Sequence, residues 1–355
     1  MGSLIPPGGD QDLGEGYHSP QVDVRVRLNT NESPYPPPRG WLSVVNEQIA
    51  NIPFHRYPDR AARSLRAALA ELHGVRPEQV FAANGSNEVL QTLLLTYGGP
   101  GRAAAVFEPT YALHAHIARL TRTDVVVGER EADFTLDARE VKRVVGEAAP
   151  AVTFLCSPNN PTGRAEPRRL VEEALELAPG LLVVDEAYAQ FAPWSALDMV
   201  DDATALVVVR TYSKTWSMAA FRLGYLVGPA GVVAELERRA LPYHLDAVKQ
   251  VAGRVALRFR AEMEARVTAL KEERERLLAR LGELPVETWP SDANFVLFRP
   301  LEREGREVWH GLLEHSVLVR DWSDWPRLEG CLRVTVGTPE ENAAFVQALS
   351  EVLAR

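Results

Sequence analysis

The sequence predicts an α/β fold, in which a mainly parallel sheet is flanked by helices and a smaller α+β domain follows. Between residues 60 and 228, short runs that are apolar throughout alternate with amphipathic helical stretches. Such strands are typical of a parallel sheet that helices cover on both faces. After Gly228 the pattern changes to a long, charged helical stretch, then short strands and a last helix from about residue 339.

The elements of the large domain follow in order along the chain. "RAARSLRAALAELHG" is an amphipathic helix ended by Gly74, "QVFAA" is a strand, and "NEVLQTLLLTYG" is a helix. The further strands are "AAAVFE", "DVVVG", "AVTFLC", "LLVVDE" and "ALVVVRT". Helical stretches such as "AREVKRVVGEA" and "PRRLVEEALELA" separate them, which is the alternation that a parallel sheet requires.

The chain divides into three parts. Residues 1–40 are rich in Gly and Pro and end in "NESPYPPPRG", which indicates an N-terminal arm that joins the small domain. Residues 41–245 form the large domain. Residues 246–355 form the small one. A charged helical stretch from about 230 to 283 crosses this boundary and leads into "NFVLFRP", "EVWHGLLEHSVLVRDW" and "CLRVTVG".

Composition excludes several classes of protein. A net charge of −9 argues against a basic surface for nucleic acid. No apolar run approaches the roughly 20 residues of a membrane span, and the N-terminus lacks the pattern of a secretory signal, so we expect a soluble cytoplasmic protein. Cys156 and Cys331 lie in apolar runs and are expected to be buried thiols, and no His/Cys spacing predicts a metal site.

One lysine stands out because lysine is rare here. The chain has 39 Lys and Arg residues, of which only four are lysines: Lys142, Lys214, Lys249 and Lys271. Arginine stays charged, whereas lysine can lose its proton and act as a nucleophilic amine. Lys214 lies between Ser213 and Thr215 just after an apolar strand, while the other three lie in helical stretches. Lys214 is therefore the candidate for an amine that chemistry requires.

Polar side chains follow several of the predicted strands, at the edge of the sheet where ligands bind. They are Ser86 and Asn87 in "NGSNE", Tyr111 in "PTYALH", Asn159 in "SPNNPTG", Asp185 and Tyr188 in "DEAY", and Ser213, Lys214 and Arg222. Each has an ordinary explanation as a turn, a helix cap, a core residue or a surface charge. Together they bring a helix start able to bind phosphate, an aromatic face, a carboxylate, two neutral hydrogen-bonding groups and one lysine to one edge.

These groups match the needs of pyridoxal 5′-phosphate. A lysine amine bonds the cofactor aldehyde, and a carboxylate keeps the pyridinium nitrogen protonated so that the ring accepts electrons. An amide and a phenol can hydrogen-bond the ring hydroxyl, and an aromatic side chain can stack on the ring. A helix start, a serine and an arginine can hold the phosphate. The sequence therefore predicts this cofactor, with Lys214 as its amine.

The same motifs also resemble a known family. "SPNNPTG", "DEAY", "SKTWSMAAFRLGY" and "LRVTVGTPEEN" resemble the histidinol-phosphate aminotransferase family of the fold-type I aminotransferases. "LNTNESPYPPP", "RYPD", "NGSNEVL" and "SDANFVLF" match in order, so the resemblance spans nearly the whole chain. It implies an aminotransferase that acts on small molecules and works as a homodimer with shared active sites.

The resemblance also implies roles for individual residues. Lys214 matches the lysine that bonds the cofactor, and Asp185 matches the partner of the pyridinium nitrogen. Asn159 and Tyr188 match the partners of the ring hydroxyl, and Tyr111 matches the ring that stacks on the cofactor. The implied catalytic residues are Lys214, Asp185 and Tyr188. Phosphate contacts match Ser86, Asn87, Ser213 and Arg222, and Tyr57 in "RYPD" matches a tyrosine that reaches the neighbouring subunit's cofactor. Arg333 matches the substrate-anion arginine, Arg320 a second arginine for a phosphorylated substrate, and Tyr17 the arm that closes over the substrate.

The implied reaction is amino transfer between histidinol phosphate and 2-oxoglutarate in histidine biosynthesis. Ala220 and Phe221 depart from the family, which has a glycine and a small aliphatic residue there, and this leaves the pocket shape open. The alternatives are an aromatic or broad-range aminotransferase, a phosphothreonine-type decarboxylase, and a pyridoxal-phosphate-binding regulatory domain. The regulatory domain is disfavoured because residues 1–40 contain no helix-turn-helix pattern, and a nicotinamide-binding protein because no strand is followed by GxGxxG.

Overall fold

The computed structural model describes residues 20–355 of the chain. Its strands are β1 (Val26–Leu28), β2 (Val80–Ala83), β3 (Ala103–Glu108), β4 (Asp124–Glu129), β5 (Val152–Cys156), β6 (Leu181–Asp185), β7 (Leu206–Thr211), β8 (Gly224–Val227), β9 (Val286–Thr288), β10 (Phe295–Pro300), β11 (Val317–Asp321) and β12 (Leu332–Thr335). Its helices are α1 (Arg39–Ile49), α2 (Arg63–His73), α3 (Ser86–Tyr97), α4 (Leu113–Leu120), α5 (Ala138–Ala148), α6 (Arg168–Leu177), α7 (Ala230–Arg239), α8 (Ala247–Ala256), α9 (Arg260–Leu281), α10 (Gly305–Glu314) and α11 (Pro339–Leu353).

The larger sheet has seven strands in the order β2-β8-β7-β6-β5-β3-β4. Strands β3 to β7 pair in parallel, and β8 runs antiparallel to both β7 and β2. Successive residues of the central strands enter different cores, since Val183 packs with α3, α4 and α7 while Val184 packs with α5 and α6. Burial on both faces explains why these strands are apolar at every position, and it confirms the predicted fold class.

The smaller sheet has five strands in the order β1-β11-β12-β10-β9. β1 lies within the predicted arm and pairs in parallel with β11, and the other pairs are antiparallel. α11 begins at a capping box in which the Thr338 hydroxyl accepts from the Glu341 N–H at 3.2 Å and Glu341 accepts from the Thr338 N–H at 2.8 Å. The predicted start of this helix is confirmed, and the domain boundaries at 40 and 245 stay a prediction.

The structure differs from the sequence prediction in the helical stretch 230–283. That stretch is three helices, α7, α8 and α9, and the first break lies at residues 240–246. Pro242 cannot continue a helix, Tyr243 adopts a left-handed backbone (φ 61°), and the Asp246 carboxylate caps α8 by accepting from the Lys249 N–H at 2.8 Å. The charged, helix-like sequence pattern continues across this break, so the sequence predicted one continuous helical stretch where the structure has separate helices.

Cys156 and Cys331 are free and buried, as their apolar surroundings predict. Within residues 20–355, no set of three or more His, Cys, Asp or Glu side chains is arranged to hold a metal ion.

Within the same range, no helix has both the length and the apolar composition that crossing a membrane requires.

Gly224 is expected to tolerate no side chain, because β8 passes directly under the turn that starts α3. A Cβ there would lie 2.5 Å from the Gly85 carbonyl carbon and closer still to the Ser86 nitrogen. Gly224→Ala should therefore lower the free energy of unfolding in urea by roughly 1–3 kcal/mol. Gly146→Ala is the control, because this exposed position in α5 has no heavy atom within 4 Å of an added Cβ, and it should raise stability by about 0.5–1 kcal/mol. Wild-type stability of Gly224→Ala would contradict the close approach.

Candidate active site

A cavity that is partly open to solvent lies where the larger sheet faces the smaller one. The last residues of three parallel strands line it: Cys156 of β5, Asp185 of β6 and Thr211 of β7. Nine residues that the sequence singled out also line it, namely Ser86, Asn87, Tyr111, Asp185, Tyr188, Ser213, Lys214, Arg222 and Arg333. The convergence expected at the carboxyl edge of the sheet is therefore present in the structure.

Lys214 presents its amine to this cavity. Nζ donates a hydrogen bond to the Thr30 carbonyl oxygen at 2.9 Å and lies 5.7 Å from the centroid of the Tyr188 ring. The pKa of Lys214 is lowered from 10.5 to about 7, chiefly by burial and also by the positive charges of Arg333 and Arg222, while the negative charge of Glu32 acts in the opposite direction. A large fraction of this amine is therefore uncharged near neutral pH, which is the form that attacks an aldehyde.

Asp185 is fixed by a residue that the sequence reasoning did not select. Its Oδ2 lies 3.0 Å from His114 Nε2, and its Oδ1 accepts from the Ala187 N–H at 3.2 Å. The His114 ring stacks on Phe154 with centroids 4.6 Å apart, so the imidazole is held in place. His114 follows Tyr111 by three residues, about one helical turn, and this spacing was the available signal.

The start of α3 lies beside a guanidinium and a hydroxyl group. Gly85 adopts a left-handed backbone (φ 84°), and no side chain caps the helix. A Cβ on Gly85 would lie 3.2 Å from Arg222 Nη2, so the glycine leaves room for the guanidinium beside the helix start. The Ser213 hydroxyl accepts from Arg222 Nη1 at 3.1 Å and thereby orients it. Exposed helix N–H groups, a hydroxyl and a guanidinium are the donors that a phosphate prefers.

The structure corrects one assignment in "SPNNPTG". Asn159 is fully buried and does not line the cavity. Its side-chain Nδ2 donates to the Pro109 carbonyl at 2.9 Å and to the Thr162 hydroxyl at 2.8 Å, and its Oδ1 accepts from the Thr110 hydroxyl. These bonds hold the loop together. The next residue, Asn160, lines the cavity and hydrogen-bonds Arg333.

Two phenols are positioned by neighbouring amides. The Tyr188 hydroxyl accepts from Asn31 Nδ2 at 2.9 Å, and the Tyr111 hydroxyl donates to Asn87 Oδ1 at 3.1 Å. Asn31 lies in "LNTNES" after β1, so the arm contributes to the site. Phe221 departs from the family pattern, and its effect on the pocket shape could not be predicted from the sequence. Its ring packs edge-on against Trp41 with centroids 5.3 Å apart, and it is not among the cavity residues.

The two candidate anion-binding arginines lie directly opposite each other on β11 and β12. Arg333 is buried, donates to the Asn29 carbonyl at 2.9 Å and lines the cavity. Arg320 does not line the cavity; its guanidinium carbon lies 5.3 Å from the centroid of the Trp322 ring. Tyr57 also lies away from the cavity, 80% exposed and stacked on Tyr243 at 4.5 Å, and Tyr17 lies outside the described residues.

The cavity residues fit pyridoxal phosphate on structural grounds. The space beside Gly85 that a Cβ would occupy, the Arg222 guanidinium and the uncapped helix start suit the phosphate. A buried carboxylate at one wall and an uncharged amine at another suit the ring nitrogen and the aldehyde.

Comparison with known proteins agrees with this geometry. The pattern of the family described as aminotransferase class I and II matches residues 24–349. The chain belongs to the class I and II aminotransferases. A histidinol-phosphate aminotransferase from Frankia casuarinae is 45% identical to this aminotransferase over 353 residues, covering 95% of this chain and 87% of that protein.

Solved structures share the fold of this aminotransferase. Histidinol-phosphate aminotransferase from Sinorhizobium meliloti, in complex with pyridoxal-5′-phosphate, superposes with a TM-score of 0.85 at 22% identity, covering 93% of this chain and 91% of that one. L-threonine-O-3-phosphate decarboxylase from Porphyromonas gingivalis gives a TM-score of 0.81 at 22% identity and covers 93% and 100%. Since both activities occur on this fold, the fold alone does not select between them.

Lys214 is expected to react with an aldehyde near neutral pH. With a pKa of about 7, its uncharged fraction rises through pH 6–8 and then levels off, whereas an ordinary lysine with a pKa of 10.5 gains reactivity up to much higher pH. The measurement is the rate at which cofactor-free enzyme takes up pyridoxal phosphate at each pH, with the modified lysine identified after reduction. Arg333→Leu removes a positive charge that disfavours the protonated amine, so the midpoint should move to higher pH. A midpoint near 10 in the wild type would contradict this.

Proposed function

We propose that the chain is a histidinol-phosphate aminotransferase, which exchanges an amino group between histidinol phosphate and 2-oxoglutarate with pyridoxal phosphate as cofactor, in histidine biosynthesis. The observation that carries this proposal is the cavity itself. It holds an amine with a pKa near 7, a buried carboxylate and a helix start that no side chain caps, all lining one cavity. The 45% identical relative carries the same activity in its name.

The cofactor, when bound, supplies an aldehyde and a ring that accepts electrons. Asp185 would hold the ring nitrogen protonated, and His114 keeps the carboxylate in place. Ser86, Ser213 and Arg222 would bind the phosphate, and Asn160 and Tyr188 would orient the ring hydroxyl. Tyr111 would lie against the ring.

Lys214 would move the proton in this reaction. Its Nζ, uncharged near neutral pH, can accept the proton that leaves the amino-bearing carbon of the substrate and can return it in the second half of the cycle. Bonding to the Thr30 carbonyl keeps Nζ at the cavity wall. The same group therefore serves both half-reactions.

The paired arginines support a substrate that carries an anion. Arg333 would bind the carboxylate of glutamate and the phosphate of histidinol phosphate at one end of the cavity. Arg320, directly opposite on β11, would add a second guanidinium for the phosphate, and Tyr17 would close over the substrate. A phosphate has more charge and more acceptor oxygens than a carboxylate, so the second arginine favours the phosphorylated substrate over an aromatic amino acid.

An exposed apolar surface supports a homodimer. Phe54, Tyr57, Leu241 and Tyr243 are 68%, 80%, 77% and 42% exposed, and Tyr57 stacks on Tyr243. Large exposed apolar side chains, such as the stacked pair Tyr57 and Tyr243, are typical of a protein interface. Tyr57 would then extend from one subunit to the cofactor phosphate of its partner.

We further propose a cytoplasmic location, since the substrates are small soluble metabolites, and a division into an arm (1–40), a large domain (41–245) and a small domain (246–355). The pairing of β1 with β11 supports the attachment of the arm to the small domain, and α8 begins at Ala247, next to the second boundary.

Arg320→Ala should lower kcat/KM for histidinol phosphate by roughly ten- to a hundredfold, because one charge-assisted hydrogen bond contributes about 1.5–3 kcal/mol. The half-reaction with glutamate should change less. Stopped-flow measurement of both half-reactions tests this, with Arg303→Ala as a surface control. An equal loss for both substrates, or none, would remove the phosphate role and favour a broad-range aminotransferase. Release of carbon dioxide from phosphothreonine would identify a decarboxylase.

Mixing two inactive variants tests the shared site. Tyr57→Ala lacks the residue that would reach across the interface, and Lys214→Ala lacks the amine. A hybrid dimer contains one cavity with both residues intact, so subunit exchange should restore part of the activity, up to about a quarter for random mixing of equal amounts. Native mass spectrometry can confirm the hybrid. No recovery in a proven hybrid would place Tyr57 outside the partner's site.

A further inference from the structure

A carboxylate lies at the helix start where the cofactor phosphate is proposed to bind. Glu88 is the third residue of α3 and the acidic residue of its first turn. Its Oε2 accepts two hydrogen bonds from Asn84, one from the backbone N–H and one from side-chain Nδ2 at 2.7 Å. Asn84 immediately precedes Gly85, the N-cap of the helix. A negative charge is therefore held within one turn of a site that suits a phosphate.

The position of the Glu88 carboxylate is fixed through Asn84. Asn84 Nδ2 also donates to the His244 carbonyl oxygen at 2.8 Å, and since both of its partners are oxygen acceptors, the orientation of the amide is determined. His244 Nε2 lies 2.9 Å from the Ala82 carbonyl oxygen, and its ring stacks on Phe81 with centroids 5.7 Å apart. The carboxylate is thus held by a residue that is itself anchored to the segment before α8.

The start of α11 uses a glutamate at the same helix position differently. Glu341, also the third residue, accepts from the N–H of the N-cap Thr338 at 2.8 Å, and the Thr338 hydroxyl accepts from the Glu341 N–H. In α3 the N-cap is Gly85, and Glu88 reaches past it to Asn84. No side chain of residues 20–355 caps the first turn of α3, so its N–H groups stay available to an anion.

A negative charge in this position has two opposite effects. The N-terminus of a helix carries a partial positive charge, so a carboxylate in the first turn stabilises the helix while the site holds no phosphate. A bound phosphate brings about two further negative charges to the same place, and the carboxylate then repels it. Arg222 attracts the phosphate, and Glu88 acts against part of that attraction.

We propose that Glu88 is a built-in counter-charge of the phosphate site, which stabilises the start of α3 before the cofactor binds and limits the affinity for the cofactor. The role of Glu88 rests on the proposed function, in which the phosphate of pyridoxal phosphate binds at the start of α3; it does not depend on which amino donor the enzyme uses. A neutral side chain of the same shape should therefore bind the cofactor more tightly and leave the cofactor-free enzyme less stable.

The first test measures cofactor affinity in Glu88→Gln. The glutamine keeps an oxygen that can accept both bonds from Asn84, and it removes the charge. The dissociation constant of pyridoxal phosphate, measured by equilibrium dialysis of the full chain in low salt, should fall roughly three- to tenfold. That of pyridoxal, which has the aldehyde but no phosphate, should change less than about twofold.

Salt dependence separates repulsion from a change of shape. Because salt screens the repulsion, the affinities of the wild type and Glu88→Gln for pyridoxal phosphate should converge between about 0.02 and about 0.5 M sodium chloride. An equal change for pyridoxal and pyridoxal phosphate, no change for either, or a difference that salt does not reduce would overturn the proposal.

The second test measures the stability of the cofactor-free enzyme, with Glu341→Gln as the matched control. Both glutamates are third in their helices and accept from an N–H group that precedes the first turn, and Glu341 is not among the cavity residues. Each substitution should raise the equilibrium constant of unfolding in urea roughly two- to fivefold, since each removes a charge that favours the helix N-terminus. Only Glu88→Gln should also tighten the binding of pyridoxal phosphate. Tighter binding in both variants would contradict the proposal.

A variant with the opposite change of charge serves if Glu88→Gln folds poorly. Asn84→Asp places a second carboxylate beside the first and should weaken the binding of pyridoxal phosphate roughly three- to tenfold in low salt, with less than about a twofold effect on pyridoxal. Equal weakening for both ligands would mean that the turn has lost its shape, and the proposal would then be wrong.

The two proposals can fail separately. Equal affinity of the wild type for pyridoxal and pyridoxal phosphate would refute the phosphate site at α3 in the proposed function, and the role of Glu88 with it. A wild type that prefers pyridoxal phosphate, with a preference that Glu88→Gln does not increase, refutes only the role of Glu88.

Discussion

The buried guanidinium of Arg333 is the contact on which the site depends. It comes from β12 of the smaller sheet, hydrogen-bonds Asn160 in the loop after β5 of the larger sheet, and donates to Asn29 after β1. A buried cation must find such acceptors, so the three segments are held in one arrangement around the cavity. The same charge lowers the pKa of Lys214. One side chain thus joins the two sheets and prepares the amine that lies between them.

Two adjacent carboxylates at the end of β6, Asp185 and Glu186, have different roles, one in the cavity and one in supporting the sheet. Asp185 lines the cavity and meets His114. Glu186, the next residue, bonds Arg210 of β7 at 2.8 Å and 3.1 Å, and it also accepts from the Ser195 hydroxyl and the Ala196 N–H. Glu186 is 3% exposed, so its charge is stabilised by these partners rather than by water. Its ion pair connects the ends of β6 and β7 next to Asp185.

Prediction from sequence succeeded where burial determines the pattern. β3, β5, β6 and β7 are apolar at nearly every position because helices cover both faces of the sheet, and these apolar runs can be recognised in the sequence. Prediction from sequence failed where contacts between distant segments determine which side chains face the cavity. Asn159 and Asn160 are the same residue type, and only the path of the loop turns one inward and the other to the cavity. β1 and β8 have three and four residues, too few to show a period, and the partnership of His114 with Asp185 spans 71 positions.

The site is assembled from distant parts of the chain, and this has a consequence during protein synthesis. Thr30, which accepts from Lys214, lies 184 positions before it, and Arg333 contacts Asn29 across 304 positions. A nascent chain that ends at β8 already carries Lys214 but lacks Arg333 and the strands β9 to β12, which complete the smaller sheet. Such a chain lacks the charge of Arg333, which helps to lower the pKa of Lys214 in the complete fold. Completion of the last strands is therefore the step that makes the amine nucleophilic, so the chain acquires its reactivity only when the pocket that controls it exists.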